Sequence, residues 1–145
     1  MRNYEKNPKI SELLEIKKFC KKRNIKVYLS NHFKLALKLG FDGAYIPSFN
    51  KSLRYLSYRL RENFRILGSA HNLKELRFKE NQKVDLIFIS SIFKKNKNYL
   101  GFHKFISLKK LTNKNVIALG GINNKNIKLI SLARCYGFAG ISYFK

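Results

Sequence analysis

Two glycine-containing segments near the end of the chain carry residues suited to binding a phosphate group. Gly120 and Gly121 close one apolar run, and Ile141 and Ser142 close a second. A glycine lets the backbone approach a ligand without a Cβ in the way, and backbone N–H groups together with a hydroxyl can donate to phosphate oxygens. We therefore predict a phosphate site at these residues. The structural alternative is that Gly120 and Gly121 form only a tight turn between a strand and a helix.

Other polar residues follow the remaining apolar runs of the chain. They are Ser30, Asn31, Asn50, Ser69, His71, Lys95 and Lys97. An imidazole titrates near neutral pH, so His71 could act as a general acid or donate to a phosphate, or could serve only as a structural residue at a strand end. Lys95 and Lys97 lie in a lysine-rich loop, where they could stabilise an anionic leaving group as point charges or simply be solvated.

Short apolar runs and helix-like segments alternate along the chain. The predicted strands span 25–29, 43–46, 64–67, 84–89, 116–119 and 137–143, and the predicted helices span 11–24, 32–39, 52–62, 72–80, 103–111 and 124–135. Such alternation predicts a parallel sheet with helices packed outside it. The similar segments 39–44 and 136–141 favour repeated βα units. The sequence therefore predicts a single α/β domain over 1–145, with the candidate residues at the carboxyl ends of its strands.

The chain is strongly basic, since 31 Lys and Arg residues oppose 8 Asp and Glu residues for a formal net charge of +23. A field of this sign attracts polyanions such as nucleic acids. The basic residues are nevertheless spread over nearly every segment, and the chain is rich in the residues that A/T-rich codons favour, which indicates that genome composition set much of the charge. A basic nucleic-acid-binding protein is therefore the less favoured alternative. Basic and aromatic residues also interleave in 54–61, as on single-stranded nucleic-acid surfaces. Because Leu53, Leu56 and Leu60 recur there at helical spacing, we expect an outer helix whose charges are solvated.

The location of the protein is predicted from its apolar runs and its cysteines. No apolar run approaches the roughly 20 residues that would span a bilayer, and the polar N-terminus does not resemble a secretory signal. Cys20 and Cys135 are isolated and far apart in the sequence, so their spacing fits no metal site. We predict that both are reduced thiols. These features predict a cytoplasmic protein with no membrane partner.

The order of these motifs resembles the thiamine phosphate synthase family, which includes the thiazole tautomerase branch. The resemblance covers nearly the whole chain, and its most specific parts are the Ala-x-Gly-Gly-Ile of 118–122 and the Gly-Ile-Ser of 140–142. Weaker matches are the segments 30–43, 69–72, 84–93 and 100–101. The resemblance implies a (β/α)8 TIM barrel enzyme that couples a pyrimidine methyl diphosphate to a thiazole phosphate and releases pyrophosphate.

Taken with the chemistry described above, the resemblance implies roles for the candidate residues. The thiazole phosphate would be held by Gly120, Gly121, Ile141 and Ser142. The catalytic candidates are Ser69, His71, Lys95 and Lys97, of which Ser69 would contact the diphosphate. The candidates for binding the diphosphate and the pyrimidine are Lys6, Ser30, Asn31 and Asn50. The phosphorylated thiazole and pyrimidine precursors are thus the expected partners.

The expected magnesium site departs from the family pattern. Where the family supplies two aspartates, this chain has Asn31 and Asn50. Asp42 and Asp85 stand at or before strand starts, at the opposite end from the site, and no Glu follows a strand end. Because Mg²⁺ prefers carboxylate oxygens, we expect no metal site made by the protein, and Mg²⁺ only through the substrate diphosphate. A non-catalytic relative that binds a phosphorylated thiamine precursor is the alternative that these changes leave open.

The predicted strands correspond to the third to eighth strands of the family barrel. The first strand and nearly all of the second are absent before residue 11, and an open sheet would expose unpaired backbone. We therefore expect either that the coding sequence starts further upstream or that a second subunit completes the barrel, as in a homo-oligomer.

Overall fold

Parallel strands alternate with helices in the computed structural model, which describes residues 9–140 together with Tyr143. The strands are β1 (Tyr28–Ser30), β2 (Gly43–Ile46), β3 (Arg65–Ala70), β4 (Leu86–Ile89), β5 (Asn115–Leu119) and β6 (Gly137–Ala139). The helices are α1 (Ile10–Lys22), α2 (Phe33–Lys38), α3 (Leu73–Asn81), α4 (Gly101–Lys110) and α5 (Ile127–Leu132), and a 3-10 turn follows β2. This order confirms the predicted alternation except after β2. No helix in the described part of the chain is long and apolar enough to cross a membrane.

The strands pair in the sequential order β1-β2-β3-β4-β5-β6, and every neighbouring pair is parallel. Sequential parallel order is the arrangement of a β/α barrel, and it confirms the predicted fold class. Within the described residues the sheet is not closed, because β1 and β6 each pair on one side only. A second subunit that completes the barrel stays a prediction.

The face of the sheet that packs against the helices holds the main core. Leu29 of β1, Ile66 of β3 and Ile87 of β4 are buried there with Leu76 of α3 and Phe105 of α4. Burial of each such side chain contributes about 1.5–3 kcal/mol, so this layer holds the helices on the sheet. The opposite face is called the inner face below.

The inner face carries aromatic rings and hydroxyl groups near the carboxyl ends of the strands. The rings of Tyr45 and Phe88 meet edge to face, with centroids 5.8 Å apart. Residues paired in register point to the same face of a sheet. Ser30, which is paired with Tyr45, and Ser69, which is paired with Phe88, therefore lie on the inner face as well.

The predicted helix over 52–62 is wrong. Only Arg54–Ser57 forms a 3-10 turn, and the three leucines expected on the buried face of that helix are exposed. Tyr55 is buried instead: its ring stacks on Phe33 at 4.7 Å, and its hydroxyl donates to the carbonyl of Gln82 at 2.8 Å. These tertiary contacts outweigh the helical spacing, because intrinsic helix propensity is only a weak preference.

Several further boundaries differ from those predicted: β1, for example, spans Tyr28–Ser30 rather than 25–29, so Ser30 is its last residue. β3 extends past its predicted end, so Ser69 lies within the strand rather than after it. The last helix is confined to Ile127–Leu132, because the side chain of Asn126 accepts a hydrogen bond from the N–H of Asn123 in a turn before the helix. The residues at 120–126 are therefore a structured loop.

Asp42 and Asp85 lie at the amino ends of the strands, as predicted. The carboxylate of Asp42 accepts from the N–H of Val27 at 2.8 Å, and that of Asp85 accepts from the N–H of Ile66 at 2.6 Å. Both aspartates therefore serve the edge of the sheet opposite to the candidate site.

Candidate functional site

Two asparagine side chains meet where β1 and β2 end. The Nδ2 of Asn50 donates to the Oδ1 of Asn31 at 2.7 Å, and the Oδ1 of Asn50 accepts from the N–H of Ser52 at 2.9 Å. Asn31 adopts a left-handed backbone conformation, φ +60°, and its N–H donates to the carbonyl of Tyr45 at 2.8 Å. The structure thus brings together two residues that the sequence predicted for the diphosphate site, 19 positions apart.

A buried ammonium group holds the loop that carries Asn50. The Nζ of Lys79 donates to the carbonyls of Pro47 and Asn50 at 2.8 and 2.9 Å and to the Oε1 of Gln82 at 2.7 Å. Lys79 is 0% exposed, and these oxygens use all its donors. Burial lowers the pKa of Lys79 to about 8, and the charge of Glu75 opposes this shift.

Gln82 supports the same loop from the end of α3. Its Nε2 donates to the carbonyls of Asn50 and Ser52 at 3.0 and 2.9 Å. Neither Lys79 nor Gln82 is predicted from the sequence, because polar residues on a helix are usually solvated and no local signal marks these two.

Ser30 carries a buried hydroxyl with no hydrogen-bond partner among the described residues. The residue is 5% exposed and lies on the inner face beside Tyr45. A buried hydroxyl without a partner costs free energy, and such groups in native proteins call for an explanation. Ser69 is also buried on the inner face, two strands away.

His71 joins the ends of β3 and β4. Its Nδ1 lies 2.6 Å from the carbonyl oxygen of Ser90 and 3.2 Å from the hydroxyl of the same residue. A carbonyl oxygen can only accept, so the Nδ1 of His71 carries a proton that it donates to Ser90. His71 therefore presents an orientated imidazole at this edge.

Glu75 corrects the expectation that no glutamate comes to a strand end. It is placed on α3, but its Oε2 accepts from the N–H of His71 at 2.7 Å, directly after β3. Its own N–H donates to the Oδ1 of Asn72, which caps the helix. The Asn-x-x-Glu spacing of a capping box was the sequence signal that could have located this carboxylate.

Lys95 and Lys97 lie in a loop that is closed at Ser91. The N–H of Ser91 donates to the carbonyl of Asn98 at 2.9 Å, and its carbonyl accepts from the N–H of Leu100 at 2.8 Å. Both lysines are exposed at the carboxyl end of β4. Their catalytic role stays a prediction.

Gly120 and Gly121 pack against the backbone of this same loop. The carbonyl of Gly120 accepts from the N–H of Phe93 at 2.8 Å, and a Cβ added at Gly121 would lie 2.6 Å from the nitrogen of Lys94. Gly121 also has φ +74°, where an L side chain is strained. Packing therefore accounts for glycine here, and phosphate binding at the pair stays a prediction.

The divalent cation that the resemblance implies does not fit the donors that the described residues bring to the ends of β1 and β2. The Oδ1 atoms of Asn31 and Asn50 both accept hydrogen bonds already. Among residues 9–140 and Tyr143, no group of three or more His, Cys, Asp or Glu side chains could hold a metal ion. Amide oxygens without a carboxylate are a poor donor set for Mg²⁺.

Three of the predicted site residues lie outside the described residues. They are Lys6, Ile141 and Ser142. Their roles stay as predicted from the sequence. The other candidates all lie at the carboxyl ends of the strands, on the side where parallel α/β folds bind ligands.

The sequence model of the thiamine monophosphate synthase family matches residues 1–144. The chain belongs to this family. The match confirms the resemblance seen in the motifs. A family match of this extent also accounts for the sequential parallel order of the strands.

Alignments with individual relatives include most of this chain but a smaller share of each relative. A putative thiamine-phosphate synthase 2 of Aquifex aeolicus is 32% identical over 136 residues, which make up 90% of this chain and 72% of that protein. A thiamine-phosphate synthase of Prochlorococcus marinus subsp. pastoris is 31% identical over 122 residues, which make up 81% of this chain but 35% of that protein.

A solved structure shares the fold. The thiamine phosphate pyrophosphorylase from Pyrococcus furiosus superposes with a TM-score of 0.75 at 20% identity, over 93% of this chain and 68% of that chain. At this identity the likeness concerns the fold alone.

Proposed function

We propose that this chain acts in thiamine biosynthesis as a thiamine phosphate synthase, which couples a pyrimidine methyl diphosphate to a thiazole phosphate. Membership of the family supports the substrate class. The chain spans only part of its relatives, so the proposal concerns the protein that contains these 145 residues.

The observation that carries a ligand-binding role is the hydroxyl of Ser30. It is buried, it lies on the inner face at the carboxyl end of β1, and it has no partner among the described residues. A ligand bound in the mouth of the sheet would supply the missing hydrogen bond. Tyr45 and Phe88, on the same face, offer aromatic surface to a heterocyclic ring.

In the proposed reaction, the thiazole nitrogen forms a bond to the methylene carbon of the pyrimidine. The bond between this carbon and the diphosphate oxygen breaks, and its electron pair leaves with pyrophosphate. Negative charge on the leaving group grows in the transition state, so preorganised cations lower the barrier. We assign this role to Lys95 and Lys97, while Ser69 and His71 hold the diphosphate from the neighbouring strands.

Magnesium enters this proposal only with the substrate. Asn31 and Asn50 offer amide oxygens and no carboxylate, so a divalent ion would be held chiefly by diphosphate oxygens. The same amide pair favours the second candidate function. In that alternative the chain binds a phosphorylated thiamine precursor and does not turn it over.

Two measurements on the purified chain test the proposal. Calorimetric titration with thiazole phosphate measures binding, and a pyrophosphate-release assay with both substrates, with and without Mg²⁺, measures turnover. We expect binding and pyrophosphate release. Ser30→Ala should weaken the binding of the pyrimidine substrate without unfolding the chain, and Ser107→Ala, which changes an exposed serine of α4, is the matched control.

Each outcome decides between the two candidates. Pyrophosphate release that depends on both substrates supports the synthase. Binding without release supports the non-catalytic relative. Failure of the folded protein, with any residues that precede or follow these 145, to bind either substrate would contradict both.

A further inference from the structure

A cavity of about 380 Å³ lies beside the two asparagines, between the start of α2 and the 3-10 turn. It is called the flank cavity here. Its lining residues are Asn31, His32, Phe33, Lys34, Leu35, Asn50, Ser52, Arg54, Tyr55 and Tyr58. Small-molecule sites span about 300–1,000 Å³, so the flank cavity is large enough for a small ligand.

The charge of the flank cavity favours an anion. Lys34 and Arg54 line it together with His32, and none of its described lining residues carries a carboxylate. The amides of Asn31 and Asn50 stand at the wall nearest the strand ends. A concave site lined by charges of one sign concentrates ions of the opposite sign.

The other wall of the flank cavity is aromatic. The ring of Phe33 stacks on Tyr55 at 4.7 Å and lies 6.0 Å from the ring of Tyr58. The Nζ of Lys34 lies 5.8 Å from the centroid of Tyr58, within reach of a cation–π contact. A planar heterocycle that carries an anionic group therefore matches both walls.

The wall formed by residues 50–52 is fixed from inside the protein. Lys79 and Gln82, each 0% exposed, donate to the carbonyl of Asn50, and Gln82 also donates to that of Ser52. Two buried polar side chains therefore hold the backbone of two lining residues in place. Because this wall is already ordered, little conformational entropy is lost when a ligand binds.

We propose that the flank cavity binds pyrophosphate without a divalent metal ion, with Arg54 and Lys34 supplying the positive charge. It lies beside the strand ends at which Ser69, His71, Lys95 and Lys97 would act on the diphosphate of the bound substrate. The choice of a diphosphate rests on the proposed function. Metal-free binding of an anion rests on the amide pair and on the charge of the lining. The buried lysine keeps the loop in shape, so no ion is needed to tie the ends of β1 and β2 together.

The test is calorimetric titration of the full chain with inorganic pyrophosphate in buffer that contains EDTA. We expect saturable binding, and we expect Arg54→Ala to weaken it by about 10- to 100-fold, the loss of one or two charge-assisted hydrogen bonds. The turn's hydrogen bonds use only backbone atoms of Arg54, so this variant keeps them. Arg59→Ala is the matched control, because it removes the same charge from an exposed residue nearby that does not line the cavity.

A second variant replaces one amide of the Asn31–Asn50 pair with a carboxylate. Asn50→Asp keeps the oxygen that accepts from Ser52 and places a carboxylate beside Asn31. We expect metal-free affinity for pyrophosphate to fall by about tenfold or more and added Mg²⁺ to restore it, since Mg²⁺ binds carboxylates together with phosphate oxygens. Urea unfolding of each variant confirms that it folds.

Several results would overturn the proposal. They are a wild-type chain that binds pyrophosphate only with Mg²⁺, equal losses in Arg54→Ala and Arg59→Ala, and no binding at all. Equal losses would mean that the overall positive field attracts the anion. Metal-free binding without turnover would support the flank cavity while contradicting the synthase, so the two proposals fail separately.

Discussion

The two halves of the carboxyl edge of the sheet are built in different ways. At β1 and β2, side chains make the contacts: Lys79 and Gln82 hold the loop, and Asn50 bonds to Asn31. At β4 and β5, backbone atoms make the hydrogen bonds between the two loops, because the loop after β4 donates to the carbonyls of Leu119 and Gly120, and glycine leaves the space for this contact. In the backbone-built half the Gly120-Gly121 motif is constrained, because few other residues fit there. In the half built from side chains, amides such as Asn31 and Asn50 can stand in place of carboxylates while the loops keep their shape.

The largest expected effect is at Gly121, where the backbone-built half should tolerate no side chain. Gly121→Val places a Cβ 2.6 Å from the nitrogen of Lys94 at φ +74°. We expect the free energy of unfolding to fall by about 2–6 kcal/mol, from backbone strain and overpacking together. Urea denaturation measures it. Gly137→Ala is the control, because a Cβ there meets nothing within 4 Å; equal losses in both variants would contradict the packing account.

The second-largest effect is expected at Lys79, in the side-chain-built half, where a substitution should lower the free energy of unfolding by less than Gly121→Val does. In Lys79→Met the carbonyl of Pro47 still accepts a hydrogen bond from the N–H of Asn50, and the carbonyl of Asn50 still accepts one from the Nε2 of Gln82. Only the Oε1 of Gln82 therefore loses its donor. We expect a loss of about 1–3 kcal/mol in the free energy of unfolding. Lys74→Met, on the exposed side of α3, should change little. A Lys79 variant as stable as wild type would mean that the ammonium does not hold the loop.

The pH dependence of stability separates the charge of Lys79 from its packing. Because its folded pKa of about 8 lies below the ordinary 10.5, the unfolded chain holds the proton more tightly, and the free energy of unfolding should rise as pH increases above about 8. Between about pH 7.5 and 9.5 we expect this rise to be larger in wild type than in Lys79→Met by about 1–2 kcal/mol. Contributions from groups that titrate in both proteins, such as Tyr55, whose pKa is raised by burial, cancel when the two pH dependences are subtracted. Parallel curves for the two proteins would refute a buried ammonium.

The smallest effect on stability is expected at Ser30. Ser30→Ala removes a buried hydroxyl that has no partner among the described residues, so the free energy of unfolding should stay constant or rise by about 1 kcal/mol. Urea denaturation checks this. A loss of more than about 1 kcal/mol would show that the hydroxyl already has a partner in the free protein.

Local signals predicted most of the fold. Strand β2 matches its predicted bounds, because it begins at Gly43 and Pro47 stops it. The segment 52–62 was mispredicted, because its leucines have helical spacing while the deciding contact, Tyr55 on Phe33, joins residues distant in sequence. Periodicity carries no information about such a contact.

The candidate site was predictable only in part, for the same reason. Ser30, Asn31 and His71 were placed at strand ends by the alternation alone. Lys79 was missed, because it bonds to a carbonyl 32 residues away and its helix shows nothing unusual there. Side chains that act through the backbone of another loop leave no local pattern.

The closed loop at Ser91 has a consequence for how fast the protein can capture an anion. Two backbone hydrogen bonds at Ser91 close the loop over 92–99. The conformational entropy of its backbone is therefore lost when the chain folds and not when a ligand binds. Encounter then requires no slow rearrangement of this segment. We expect association near the rate of electrostatically steered diffusion, falling steeply as ionic strength rises.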